Sequence, residues 1–193
     1  IPIIRPLNTS ITADEVTEIT GILNGTTNYI LTKMDQEGAS YDEVLKQAQD
    51  LGYAERNPEA DVEGGDACRK IAILTSIVYG KHLDYTKIHT EGITKISTED
   101  FKYADALGVS IKLVGTTKKE GDTLYSFVAP MMLDENHPLS GIHDVFNGIF
   151  VHGNVVDDIM FYGRGAGKLP TASAVVSDVV DEVKHMGKNI MAS

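Results

Sequence analysis

Two hydrophobic periods alternate along the chain, one near 2 and one near 3.6, and their order predicts the first map of the fold. Val16 to Leu23, "VTEITGIL", alternates moderately and reads as a strand entering Asn24-Gly25. "SIKLVGTT" and "TLYSFVAPMML" carry the β-branched and aromatic content of two more strands. The polar run "GTTKKEGDT" between them, Gly115 to Thr123, reads as a hairpin loop whose turn residues are Glu120-Gly121-Asp122. A second hairpin is expected from Asn147 to His152 and Val155 to Tyr162, with Gly153-Asn154 as a two-residue turn. That makes about five strands.

Helical spacing is carried by Ile30, Leu31 and Met34 in Thr27 to Gln36, and by Tyr41 to Leu51 behind Ser40 as N-cap with Glu43 three residues on. A third helix is expected from Gly65 to Tyr79, where Ala67, Ile71, Leu74 and Val78 share a face. A fourth, Glu99 to Leu107, follows Thr98 and stops at Gly108, and the last starts at Pro170 and continues to about Met186. Strands and helices mix without regular βαβ alternation. The pattern predicts an α+β fold, a mixed and mainly antiparallel sheet with helices on one face.

Composition narrows the function classes. A chain of 193 residues suits one domain, 1–193, and no apolar run is long enough to span a bilayer, so no membrane partner is expected. The formal charge of −11 opposes nucleic-acid backbones, which removes that partner too. Cys68 is the single cysteine, which fits a reducing, cytoplasmic setting. Acidity concentrates between Asp35 and Asp66, ten carboxylates against Lys46 and Arg56. No G-x-G-x-x-G opens a helix after a strand, and the chain starts inside the apolar run "IPIIRPL", so it reads as a fragment without a dinucleotide-binding half.

Three stretches could carry chemistry. In "LGYAERNPEADVEGGDACRKIAIL", Glu55, Glu59, Asp61, Glu63 and Asp66 crowd ahead of Lys70, and Asp66 and Lys70 meet at i, i+4 on one helix face. The plain reading is a surface ion pair. The sharper one is a lysine that exchanges a proton with a substrate hydroxyl while spare carboxylates hold an ammonium, with the mostly apolar helix desolvating the lysine in part. In "GILNGTTNYIL" a strand turns directly into a helix, either a capped helix with Asn24 or Thr26 as N-cap or an anion site of free N–H groups. In "GRGAGKLPTASAVVSD" glycines precede a proline-started helix, either as a loop or as a wall that lets a ligand approach the backbone.

Taken together, "GILNGTTNYILTKM", "LGYAERNPEADVEGGDACRKIAIL" and "GRGAGKLPTASAVVSD" resemble signature stretches of homoserine dehydrogenases, in that family's order and over nearly the whole chain. The resemblance implies NAD- or NADP-dependent interconversion of L-homoserine and L-aspartate 4-semialdehyde. It implies that Lys70 donates and accepts the proton, that Glu55, Asp66 and Asp61 bind substrate, and that Gly25 and Thr26 touch it. It further implies that Gly52 and Gly167 approach the cofactor and that Ile1 is the last of several backbone ligands to a sodium ion. A homodimer through this domain is implied, as is packing of the last helix near a nucleotide-binding domain. A non-redox amino-acid-binding or dimerising module is the other class left open.

Overall fold

A computed structural model describes residues 1–186; residues 187–193, the end of the expected single domain, lie outside the described residues. Strands β1 (Val16–Ile22), β2 (His89–Thr90), β3 (Val109–Glu120), β4 (Thr123–Asp134), β5 (Phe146–Gly153) and β6 (Asp157–Arg164) form one sheet in the order β2-β4-β3-β1-β5-β6. Every neighbouring pair is antiparallel except β2 with β4. The helices are α1 (Ile4–Thr9), α2 (Gly25–Glu37), α3 (Tyr41–Asp50), α4 (Glu59–Val62), α5 (Gly65–Tyr79), α6 (Thr98–Leu107) and α7 (Lys168–His185), with a 3-10 turn at Tyr85–Lys87. The fold is α+β, with its main core on one side of a mixed, mainly antiparallel sheet.

That core joins Ile19, Leu113, Ile149 and Val151 of the sheet to Ile30, Leu31 and Met34 of α2, Ile71 and Leu74 of α5, and Phe101 of α6. Gly115 lets α5 close on the sheet, since a Cβ there would sit 3.3 Å from the Ile71 Cβ. On the opposite face a smaller cluster of Ile22, Val114 and Phe150 is closed by Leu139 and Ile142, from the connection between β4 and β5. Lys112, only 2% exposed, is taken into the same region and donates to the Ile142 carbonyl at 2.7 Å. Burial pulls its ammonium down from 10.5 to about 8, against the upward pull of Asp35 and Asp144.

Several expected boundaries moved, each for a tertiary reason. The polar run after Gly115 is strand and not loop: β3 continues to Glu120, leaving Gly121-Asp122 as the turn, because Lys118 pairs with Glu18 of β1 and Lys119 reaches Glu15. In the second hairpin the loop is Asn154 to Val156, not Gly153-Asn154, and β6 starts at Asp157 with φ +65°. Asp14 fixes that loop by accepting from the Val155 and Val156 N–H groups. Helix α6 starts at Thr98 under a Ser97–Asp100 capping box, and α7 starts at Lys168, two residues before the proline. Helices α1 and α4, the 3-10 turn and β2 were not legible in the pattern. Each is short, and β2 exists only by pairing with Phe127 and Val128 of β4.

Helix α7 buries none of its described residues; Val175, Val176, Val179, Val180 and Val183 are 46% to 60% exposed. Arg5 of α1 meets it through Asp178 and Asp181. No described helix is long and apolar enough to cross a membrane.

Candidate functional site

The site gathers where β1 gives way to α2. Asn24 caps α2, its Oδ1 accepting from the Thr27 N–H at 2.9 Å, so of the two expected caps it is Asn24 that serves. The other end of the same amide donates to Asp61 at 2.8 Å and to Asp66 at 2.9 Å. One buried side chain therefore starts the helix and aims two carboxylates.

Those carboxylates arrive from α4 and from the first turn of α5. Gly64 turns the chain between the two helices with φ +82°, a conformation that L side chains rarely adopt. The second glycine, Gly65, lies close against α4, with a Cβ there 3.3 Å from the Ala60 carbonyl. One turn into α5, the Lys70 ammonium donates to Asp66 at 2.7 Å and to the Leu23 carbonyl at 3.0 Å. The Lys70 side chain is 45% exposed and that of Asp66 31%. Lys70 is thus less desolvated than the apolar sequence of α5 suggested: it stands on the rim of a cleft, held by one carboxylate and one backbone oxygen.

The cleft has a volume of about 430 Å³. Gly25, Thr26, Gly52, Glu55, Asp61, Asp66, Lys70 and Gly167 all line it, from four separate parts of the chain. Thr26 donates to the Tyr53 carbonyl at 2.7 Å, tying the start of α2 to the segment that carries Glu55. Ile1 lies apart, in an adjoining apolar pocket of about 220 Å³ that also touches Lys70. Its carbonyl accepts from the Ile3 N–H at 3.0 Å.

Two residues of the cleft escaped the sequence reading. Asn24 was visible as a cap but not as the partner of Asp61 and Asp66, which lie 37 and 42 positions away. Asn147 of β5, 6% exposed, lines both the cleft and the apolar pocket. An asparagine in an otherwise apolar strand, "NGIFV", was the available signal, since asparagine is depleted in strands.

Chemically, the arrangement offers negative charge for an ammonium at one end, free N–H groups at the start of α2 for an anion, and a lysine between them for proton exchange. For a nicotinamide cofactor the residues present fit. Gly52, Gly165 and Gly167 leave a stretch of wall without side chains, and the buried Asn147 Oδ1 has no hydrogen-bond partner.

A family model described as homoserine dehydrogenase matches residues 2–180. The chain is 46% identical over 186 residues to homoserine dehydrogenase of Bacillus subtilis, covering 96% of the chain and 43% of the relative. To the Synechocystis enzyme it is 49% identical over 187 residues, covering 95% and 43%. In structure it is similar to a homoserine dehydrogenase from Thiobacillus denitrificans, with TM-score 0.94, 40% identity, and coverage of 98% of this chain and 44% of that one. A hyperthermophilic archaeal homoserine dehydrogenase in complex with NADPH gives TM-score 0.77 at 28% identity, covering 93% and 51%. The chain spans less than half the length of the curated relatives it matches.

Proposed function

The chain belongs to the homoserine dehydrogenase family, and from that premise we propose that it is the substrate-binding and catalytic part of a cytoplasmic enzyme that interconverts L-homoserine and L-aspartate 4-semialdehyde. The observation that carries the reading is Lys70, fixed by Asp66 and the Leu23 carbonyl on the rim of a cleft lined with acidic groups. Glu55, Asp61 and Asp66 bind the substrate ammonium, and the free N–H groups at Gly25 and Thr26 receive its carboxylate. That places the side-chain oxygen of the substrate toward Lys70. In the reducing direction the Lys70 ammonium gives a proton to the carbonyl oxygen; in the oxidising direction neutral Lys70 takes the proton from the hydroxyl.

The hydride chemistry belongs to NAD or NADP, which Gly52 and Gly167 would approach through backbone that carries no side chain. The rest of the chain orients the amino acid and excludes water from the reacting carbon. A homodimer forms across the second face of the sheet, where Tyr125 and Phe127 lie beside Glu18 and Lys118, next to Met131, which packs against the small cluster.

In the full-length protein, Lys70→Ala lowers kcat by about 10²- to 10⁴-fold with a smaller change in KM, while Glu55→Gln raises KM for homoserine. Equal kcat for the Lys70 variant and the parent removes Lys70 from the mechanism. Residues 1–193 alone are expected to bind homoserine without oxidising it, as read by calorimetry and by reduced-nicotinamide absorbance.

A further inference from the structure

Among the described residues, three line both the polar cleft and the apolar pocket beside it: Lys70, Asn147 and Gly165. A ligand pair that reacts across this boundary must bring its reacting atoms to these residues. Lys70 has its role in the reading above; Asn147 has none.

The Asn147 side chain is nine-tenths buried, and its Oδ1 has no partner among the described residues. Its Nδ2 is the end turned toward Gly165, where an added Cβ would collide with it. The NH₂ groups of the other buried amides of this region are accounted for by the fold, although the Asn28 Oδ1 is without a partner as well. Asn28 donates to the carbonyls of Ile142, Asp144 and Phe146, and Asn24 caps α2 and holds Asp61 and Asp66. Asn147 holds nothing comparable. A buried amide without such bonds is unfavourable where a leucine of similar size would fill the space, so packing gives no reason for asparagine here. Gly165 packs its backbone directly against that amide, and any side chain at position 165 would displace it.

We infer that Asn147 is a ligand-binding residue at the junction of the two pockets, its side-chain NH₂ donating to an acceptor oxygen of the ligand held there. The inference rests on the catalytic reading of the cleft. Two oxygens have the required chemistry: the side-chain oxygen of the amino-acid substrate and the carboxamide oxygen of nicotinamide. In either case the bond adds a donor beside Lys70 that proton transfer does not use.

The test is Asn147→Ala and Asn147→Asp in the full-length protein. NADPH affinity is read by nicotinamide fluorescence, homoserine affinity by calorimetry, and stability by melting temperature without ligand. Asn147→Ala removes an unpaired buried polar atom, so the unliganded variant is expected to melt no lower than the parent. One affinity is expected to fall about tenfold or more, and the arm that falls identifies the oxygen. Asn147→Asp keeps the shape and removes the donor, and is expected to lose the same affinity. Both affinities within about twofold of the parent, in either folded variant, would overturn the inference while leaving Lys70 and the carboxylates in place. A parent protein that binds neither ligand overturns the reading of the cleft and this inference with it.

Discussion

Replacing Lys112 with methionine should stabilise the protein at neutral pH and stop doing so at high pH. Lys112 is 2% exposed, and burial brings its ammonium from 10.5 to about 8. At about 1.4 kcal/mol per tenfold, that fall is a cost of roughly 3 kcal/mol whenever the buried group is charged. Methionine keeps the apolar stem and removes the charge. The lost hydrogen bond to Ile142 returns about 1 kcal/mol, but that carbonyl also accepts from Asn28 and is not orphaned.

The net expectation is a gain of about 2 kcal/mol at pH 7. The pH dependence has a definite sign. Between about 8 and 10.5 the unfolded chain still holds the proton that the folded chain has released, so the stability of the parent rises with pH across that window. The advantage of the variant therefore shrinks through the window and reverses once the folded parent holds a neutral amine. Urea unfolding of both proteins at pH 7 and pH 10 measures it; taking the difference cancels the tyrosines, including Tyr79, which burial raises to about 12. A Lys112→Met protein that is less stable at pH 7, or whose advantage is the same at both pH values, refutes the reasoning.

Gly92→Ala is expected to cost at least about 2 kcal/mol, because its Cβ would run into the Val62 carbonyl and the Glu63 backbone, neither of which can rotate away; unchanged urea midpoints would show that α4 can shift. Gly25→Ala places a Cβ 2.8 Å from the Val145 carbonyl at the start of α2, so KM for homoserine should rise more than the melting temperature falls, as steady-state kinetics and calorimetry can show. Tyr125→Glu adds a carboxylate to the groove that already holds Glu18 and Glu120; the dimer proposed for the parent should then fall apart to monomer in sedimentation velocity, and an unshifted dimer would place the interface elsewhere.

What could be read from residue order follows physical range. β6, α3 and α5 announce themselves because their burial faces repeat within the element, whereas β1 and the inner part of β3 are buried on both faces and show instead as runs rich in β-branched residues. The acidic half of the cleft was legible because Glu55, Asp61, Asp66 and Lys70 lie within one stretch of chain. Elements made by partners were not. β2 is two residues long and needs β4, while the segment after it is tied by the Ile93 N–H to the Val62 carbonyl, both contacts far apart in sequence. The same holds for Lys118 and Lys119, whose polarity suggested a loop although Glu18 and Glu15 give them partners in and beside the sheet. Asn147 shows the limit most plainly: its burial is a property of Gly165 and the two pockets, not of its neighbours in "NGIFV".

The double duty of Asn24 sets a rule for anyone trying to retune the specificity proposed for this cleft. Changing Asp61 or Asp66 takes an acceptor from an amide that also holds the first turn of α2, so thermal robustness and selectivity are one trait at this position, not two. Libraries varied at those carboxylates will shed members as heat-labile before they report any new preference. Compensating changes should then collect at residue 24, ahead of any residue that touches the substrate.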